Sequence, residues 1–288
     1  MLPGRNVLRI FPSLSLTGSS NNKAFAHRSA LGLRYRGEFV MRSYRYVLLL
    51  FICSVASMRA FAGDAPAPVV VELFTSEGCS SCPPADQLLA DLVAANAPGR
   101  PEVIALGEHV DYWNHDGWTD RFSSRQFTDR QNNYAQKFKL DSPFTPQMVI
   151  DGNQQVSAND KSAVVHAILA AAQQAPSAKV NLRLSSAARL NVEVQSDHHS
   201  DDIFLVITED GLKTEVRNGE NKGRTLTHVA VVHRLEKIGS LSKEGFSKEI
   251  NLALDKSWNP KSTRAVVFVQ EKNSGAIIGS ASVPLASN

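Results

Sequence analysis

Cysteine is the scarcest informative residue here: 288 residues hold three. One of them, Cys53, lies in a segment expected to be removed, so Cys79 and Cys82 have no others to pair with. A scaffold stapled by several disulfides is therefore excluded. Long apolar runs are missing as well. The run Val47–Val55 is too short for a spanning helix. A basic surface is missing too, although the formal net charge is +3. Residues 1–62 carry nine of the 31 basic residues and one of the 28 acidic ones, so the remainder holds 22 against 27, a formal −5. Nothing in that remainder reads as a nucleic-acid surface. Internal repeats are absent.

What is present begins with an address. From Met41, a basic start (Arg42, Arg45), the apolar run and the small-residue site Ala60-Phe61-Ala62 read as a secretory signal peptide over residues 41–62, cleaved after Ala62. Residues 1–40 are rich in Arg and Ser with Glu38 as their one acid, and they read as a disordered leader upstream of the true start. No membrane span is expected after cleavage. The protein is expected to be periplasmic or secreted, where a disulfide persists.

The stretch Val69–Ala85, V-V-V-E-L-F-T-S-E-G-C-S-S-C-P-P-A, carries the chemistry. Val69–Phe74 reads as a buried strand, Thr75–Gly78 as a turn, and Pro83 to about Ala95 as a helix. Two prolines in a first helical turn cost little, since their missing N–H groups would have no partner. Cysteines at i and i+3 at a helix start sit in a field that favours a thiolate. Cys79 is then the attacking sulfur, and Cys82 is near enough to resolve a mixed disulfide. The same motif also suits a structural disulfide or half of a metal site.

Further along, Glu102–Leu106 reads as a second strand, and residues 107–120, G-E-H-V-D-Y-W-N-H-D-G-W-T-D, as a loop at the same end of the sheet as Cys79. Its Tyr112 and Trp113 are candidates for substrate contact. His109 and His115, with Cys79 and Cys82, form an alternative zinc or copper set. A helix is expected over about 121–139. Thr145-Pro146 opens a short strand ending in Asp151-Gly152, a hairpin signal, with Gln154–Ser157 as its partner. A last helix covers roughly Lys161–Gln174, capped by Asn159 or Asp160.

This order of elements resembles thioredoxin and its relatives over residues 68–175. The resemblance implies a cis peptide bond before Pro146, with Thr145 offering backbone contacts to an extended substrate segment. It also implies a buried proton acceptor near Glu72, and a redox poise tuned by Ser80 and Ser81. The phrases C-S-S-C-P-P-A-D, H-V-D-Y-W and T-P-Q-M-V look more closely like a secreted bacterial family with a thioredoxin-like fold that is catalogued as a domain of unknown function.

After the linker Ala175–Ala178 the periodicity changes to two, with about seven short strands and Asn, Asp and Gly turns. The expected architecture is thus an α/β thioredoxin-like domain over 63–178 followed by an all-β antiparallel sandwich-like domain over 179–288. The polar loop Asn218–Thr225 is expected to face the first domain or a partner.

Three functions follow in order of preference. The first is thiol–disulfide exchange with protein thiols or a redox partner protein, needing no cofactor beyond the Cys79–Cys82 disulfide. The second is metal binding, and the third a non-catalytic assembly protein with a structural disulfide.

Overall fold

The computed structural model describes residues 66–115, 117–186 and 188–286. The leader, the signal segment and Cys53 lie outside the described residues. The described chain forms one compact unit from Pro66 onward.

The architecture is mixed α/β and dominated by one large sheet. Strand β1 (Val69–Thr75) is buried at every position. It pairs in parallel with β2 (Val103–His109) and antiparallel with β3 (Gln147–Ile150), which hairpins to β4 (Gln154–Ser157). The β3–β4 connection places Asp151 at φ 44° and Gly152 at φ 58°, the two consecutive positive angles of a tight hairpin. A side chain at Gly152 would collide with the Gly275 carbonyl, so only glycine fits.

Three helices cover this part of the sheet. Helix α1 (Pro83–Ala94) buries Ala85, Leu88, Leu89 and Leu92. Helix α2 (Arg125–Lys137) is capped by Ser124, whose hydroxyl accepts from Gln126 N. Helix α3 (Lys161–Ala171) is capped by Asp160, which accepts from Ala163 N. Strand alternation divides β1 between the helices. Val70 and Phe74 belong to the clusters that include Phe127 and Tyr134 of α2. Thr75, on the opposite face, donates to Asp86 of α1.

Residues 179–288 do not close on themselves as a separate sandwich. Four of their strands, β7 (Asp202–Glu209), β10 (Val231–Ser240), β12 (Thr263–Gln270) and β13 (Ile277–Pro284), extend the first sheet in the order β13-β12-β7-β10-β2-β1-β3-β4. The junction is one parallel pairing, Val231 with Gly107, backed by a 2.8 Å bond from Gly107 N to Ala230 O. Gly107 permits this approach, because a Cβ there would stand 3.1 Å from the Val229 carbonyl. Strands β5 (Ala178–Ser186), β6 (Arg189–Ser196) and β11 (Phe246–Asn251) form a three-stranded second layer. Leu190, Val192 and Val194 of that layer pack with Ile203, Leu205, Ala265 and Val267 of the large sheet. Apolar burial of this kind stabilises at about 25 cal/mol per Å² removed from water.

The last sheet is small. Strands β8 (Leu212–Glu215) and β9 (Thr225–His228) pair only with each other. Strands β9 and β10 are separated by Val229–Ala230, where Ala230 takes φ 50°. Among the described residues no helix is long and apolar enough to cross a membrane.

Candidate active site at the Cys79–Cys82 disulfide

The site grows from the end of β1. Cys79 N bonds to Ser76 O and Cys82 N to Cys79 O, so the chain turns twice before the helix begins. Gly78 is pressed by Trp113, and a Cβ there would lie 3.1 Å from Trp113 Cβ. Cys82 is the N-cap of α1, and Cys79 is joined to it by a disulfide with 5.4 Å between Cα atoms. Pro83 and Pro84 delete the first two N–H groups of the helix, and Ala85 N is spent on Cys82 O. The helix macrodipole, not a free N–H of its first turn, is therefore what favours a thiolate here. Ser80 and Ser81 are exposed at the mouth, with Ser81 Oγ 3.4 Å from Cys79 Sγ. Both cysteines beneath them are 0 % exposed.

The loop after β2 and the Thr145–Pro146 segment meet beside this turn. Trp113 Nε1 donates to Thr145 Oγ1 at 2.8 Å. Tyr112 OH donates to Gln131 Oε1, and Gln131 Nε2 donates to the Phe144 carbonyl. The Thr145–Pro146 bond is cis. Phe144, next in line, is the one large apolar side chain among the described residues that stands exposed, at 37 %.

Behind the disulfide lies a buried cluster of which the sequence singles out only His109. Glu77 Oε2 accepts from Trp118 Nε1 at 2.8 Å, while Oε1 has no hydrogen-bond partner. His228, on β9, points its Nε2 at Glu77 Oε1 (3.5 Å) and its Nδ1 at Asp86 Oδ2 (3.9 Å), with neither nitrogen hydrogen-bonded. Burial pushes the Asp86 carboxyl up, outweighing the two imidazoles and the Thr75 hydroxyl. His109 Nδ1 sits 2.7 Å from Asp120 Oδ2. Burial alone would lower the His109 pKa, but Asp120, Asp86 and Glu77 outweigh it and raise it. Asp120 is itself lowered: burial opposes this, but His109 and the N–H groups of Glu77 and Phe122 prevail. Asp86 lies one helical turn beyond Cys82, a spacing that signals a shared face. His228, about 150 residues away, carries no such signal.

Glu72 sits elsewhere. It is on the α2 face of β1, where Oε1 accepts from Tyr134 at 2.6 Å and Oε2 from Arg130. The residue reaching the α1 face at the end of β1 is Thr75, bonded to Asp86. The alternative metal set is not gathered either. His109 belongs to buried β2 and is engaged by Asp120, and His115 lies exposed in the following loop. Among the described residues, the one group of three candidate ligands within 4.8 Å of one another is His198, Asp201 and Glu271, far along the chain.

The expected polar loop reaches the site. Asn221, between β8 and β9, is 0 % exposed and donates from Nδ2 to Glu77 O and to Cys79 O, both at 2.9 Å. Glu220 Oε2 accepts from Ser80 N at 3.1 Å.

Fold and site together describe a mixed α/β protein, built on a large multi-strand sheet, with a close C-x-x-C disulfide pair at a helix start. The chain belongs to the family described as "Protein of unknown function (DUF1223)", which matches residues 70–270. No curated protein matches it. Among solved structures, protein AGR_C_4864 from Agrobacterium tumefaciens is similar at TM-score 0.67 and 23% identity, covering 78% of this chain and 98% of that one. HBP35 of Porphyromonas gingivalis is similar at TM-score 0.53 and 17% identity, covering 77% of this chain and 76% of that one. At these identities the likeness is one of fold.

Proposed function

We propose that the protein is a thioredoxin-like thiol–disulfide oxidoreductase of the periplasm or the secreted space, acting on protein thiols or on a redox partner protein. The observation that carries this reading is the Cys79–Cys82 disulfide at the start of α1, beside Trp113 and the Thr145–Pro146 segment bonded to it. In the reducing direction, the Cys79 thiolate attacks one sulfur of a partner disulfide. That S–S bond breaks, the departing partner thiolate takes a proton, and a mixed disulfide forms. The Cys82 thiolate then attacks Cys79 Sγ, closing the intramolecular disulfide and releasing the partner's second sulfur as a thiolate. Two electrons pass from the Cys79/Cys82 dithiol to the partner. A second thiol–disulfide protein restores the starting state, and no other cofactor takes part. Trp113, Tyr112, Ser80 and Ser81 border the partner's path, and Phe144 offers it an apolar contact.

The test is to trap the intermediate. With Cys82→Ser, a mixed disulfide to Cys79 accumulates on incubation with a denatured, disulfide-bonded test protein, and Cys79→Ser yields none. If neither variant traps a partner, the exchange reading falls. The burial of both cysteines favours a second reading, a structural disulfide in a non-catalytic binding protein. That reading predicts no trapping and the same fold after reduction.

A further inference from the structure

Both cysteines are 0 % exposed, yet the two residues between them are open to solvent. The backbone around Cys79 is held from far along the chain. The β8–β9 connection is exposed at Arg217, Asn218, Glu220, Lys222, Gly223 and Arg224, while Asn221 in its middle is fully buried. A polar amide so placed is tolerated because every polar atom is matched. Nδ2 serves the Glu77 and Cys79 carbonyls, and Oδ1 accepts from Arg224 at 3.0 Å. Glu220 meanwhile takes Ser80 N. The hairpin carrying these groups pairs with neither of the larger sheets. Its tip closes on itself, through Gly223 N to Val216 O and Val216 N to Arg224 O. The other end is fixed, since His228 is buried in the cluster behind the disulfide.

We propose that the hairpin tip Val216–Arg224 is a displaceable lid over the Cys79–Cys82 disulfide, with Asn221 as its latch. The groups it holds are backbone groups on both sides of the attacking cysteine: two carbonyls and one N–H. An extended, cysteine-bearing polypeptide presents the complementary N–H and C=O groups along its own backbone. Lid and partner thus compete for the same three positions, and the lid keeps the sulfurs from reacting until a chain of that kind displaces it. This purpose rests on the exchange reading above. The lid itself does not, because its opening governs access for any reagent.

The experiment measures the rate at which dithiothreitol reduces Cys79–Cys82, read by counting alkylated thiols over time. Removing three hydrogen bonds, two of them to the turn at Cys79, with Asn221→Ala speeds reduction about tenfold or more, and Glu220→Gln speeds it less, because its exposed bond is weaker. Circular dichroism confirms that each variant is folded. Hydrogen exchange on the unaltered protein gives a second reading that needs no variant. The amides of Val216 and Gly223 exchange at least ~100-fold faster than those of Val70 and Val71, as a separately opening segment requires. Equal reduction rates for folded Asn221→Ala and the unaltered protein overturn the lid. So does exchange of the tip amides only as fast as those of β1. Faster reduction with no trapped mixed disulfide leaves the lid standing and removes the exchange reading instead.

Discussion

Two buried polar clusters flank β1, one gathered around a guanidinium and the other around two imidazoles. On the α2 face, Glu72 meets Arg130 and Tyr134, and the same guanidinium reaches Gln270 of β12 and lies 3.5 Å from Glu108. Burial, followed by the neighbouring Glu72 charge, holds Glu108 well above the usual carboxylate range, against the pull of the Arg130 guanidinium. On the α1 face, Glu77, Asp86, His109, Asp120 and His228 crowd behind the disulfide, and only the His109–Asp120 pair is closed. Glu77 Oε1 and both His228 nitrogens lack hydrogen bonds, as do both Glu108 oxygens on the α2 face. The first cluster ties β1, α2 and β12 together. The second keeps groups able to accept or give a proton behind the Cys79–Cys82 disulfide, at a cost in stability.

The comparison breaks most visibly at Arg130. Replacing it by Met leaves buried carboxyls without their cation, and the loss in urea denaturation is expected at about 3–5 kcal/mol. Disulfide reduction in the folded variant should be unchanged.

Next comes Asp151, whose carboxyl burial pushes up to about 7, with Glu72 adding to the rise against the Val70 N–H. An acid with a raised folded pKa binds its proton longer in the native state. It therefore costs stability progressively from about pH 4, where the unfolded group ionises, up to about 7. Asp151→Asn keeps an acceptor for Val70 N and removes that cost. Its advantage over the unaltered protein should grow from near zero at pH 4 to about 4 kcal/mol at pH 8.

A smaller effect is expected on the other face. His109 has a raised pKa, so its contribution is complete below its unfolded value of about 6.5 and is lost as pH rises through the folded value. Asp120 is lowered, so its contribution is present above about 4 and is lost as pH falls through its folded value. Stability from the pair is therefore greatest between about pH 4 and 6.5. His109→Gln should remove about 2 kcal/mol at pH 6 and less at pH 9, as measured by denaturation at both.

His228→Gln should cost the least, under about 1 kcal/mol, because neither ring nitrogen has a hydrogen bond to lose. A loss as large as that at Arg130 would erase the distinction between the two clusters.

The local features of this architecture were legible. The strand–turn–helix around Cys79, the Asp151-Gly152 hairpin and the cap at Asp160 each depend on neighbouring residues. Gly107-Glu108-His109 reads as loop because nothing nearby marks it as strand, and it becomes β2 through pairing with β1 and the approach of Ala230. Alternation alone assigns Glu72 a face, but which helix covers that face is a tertiary fact. The break between β9 and β10 at Ala230 has no glycine to announce it. Asn221 and Cys79 are 142 positions apart, and no periodicity connects them.

The central claim is that Cys79–Cys82 turns over, and its reduction potential tests this most directly. Equilibrating the protein with glutathione and dithiothreitol buffers should give a value between about −120 and −270 mV, the range of exchange catalysts. A value below about −300 mV would contradict the account and make the disulfide a structural link.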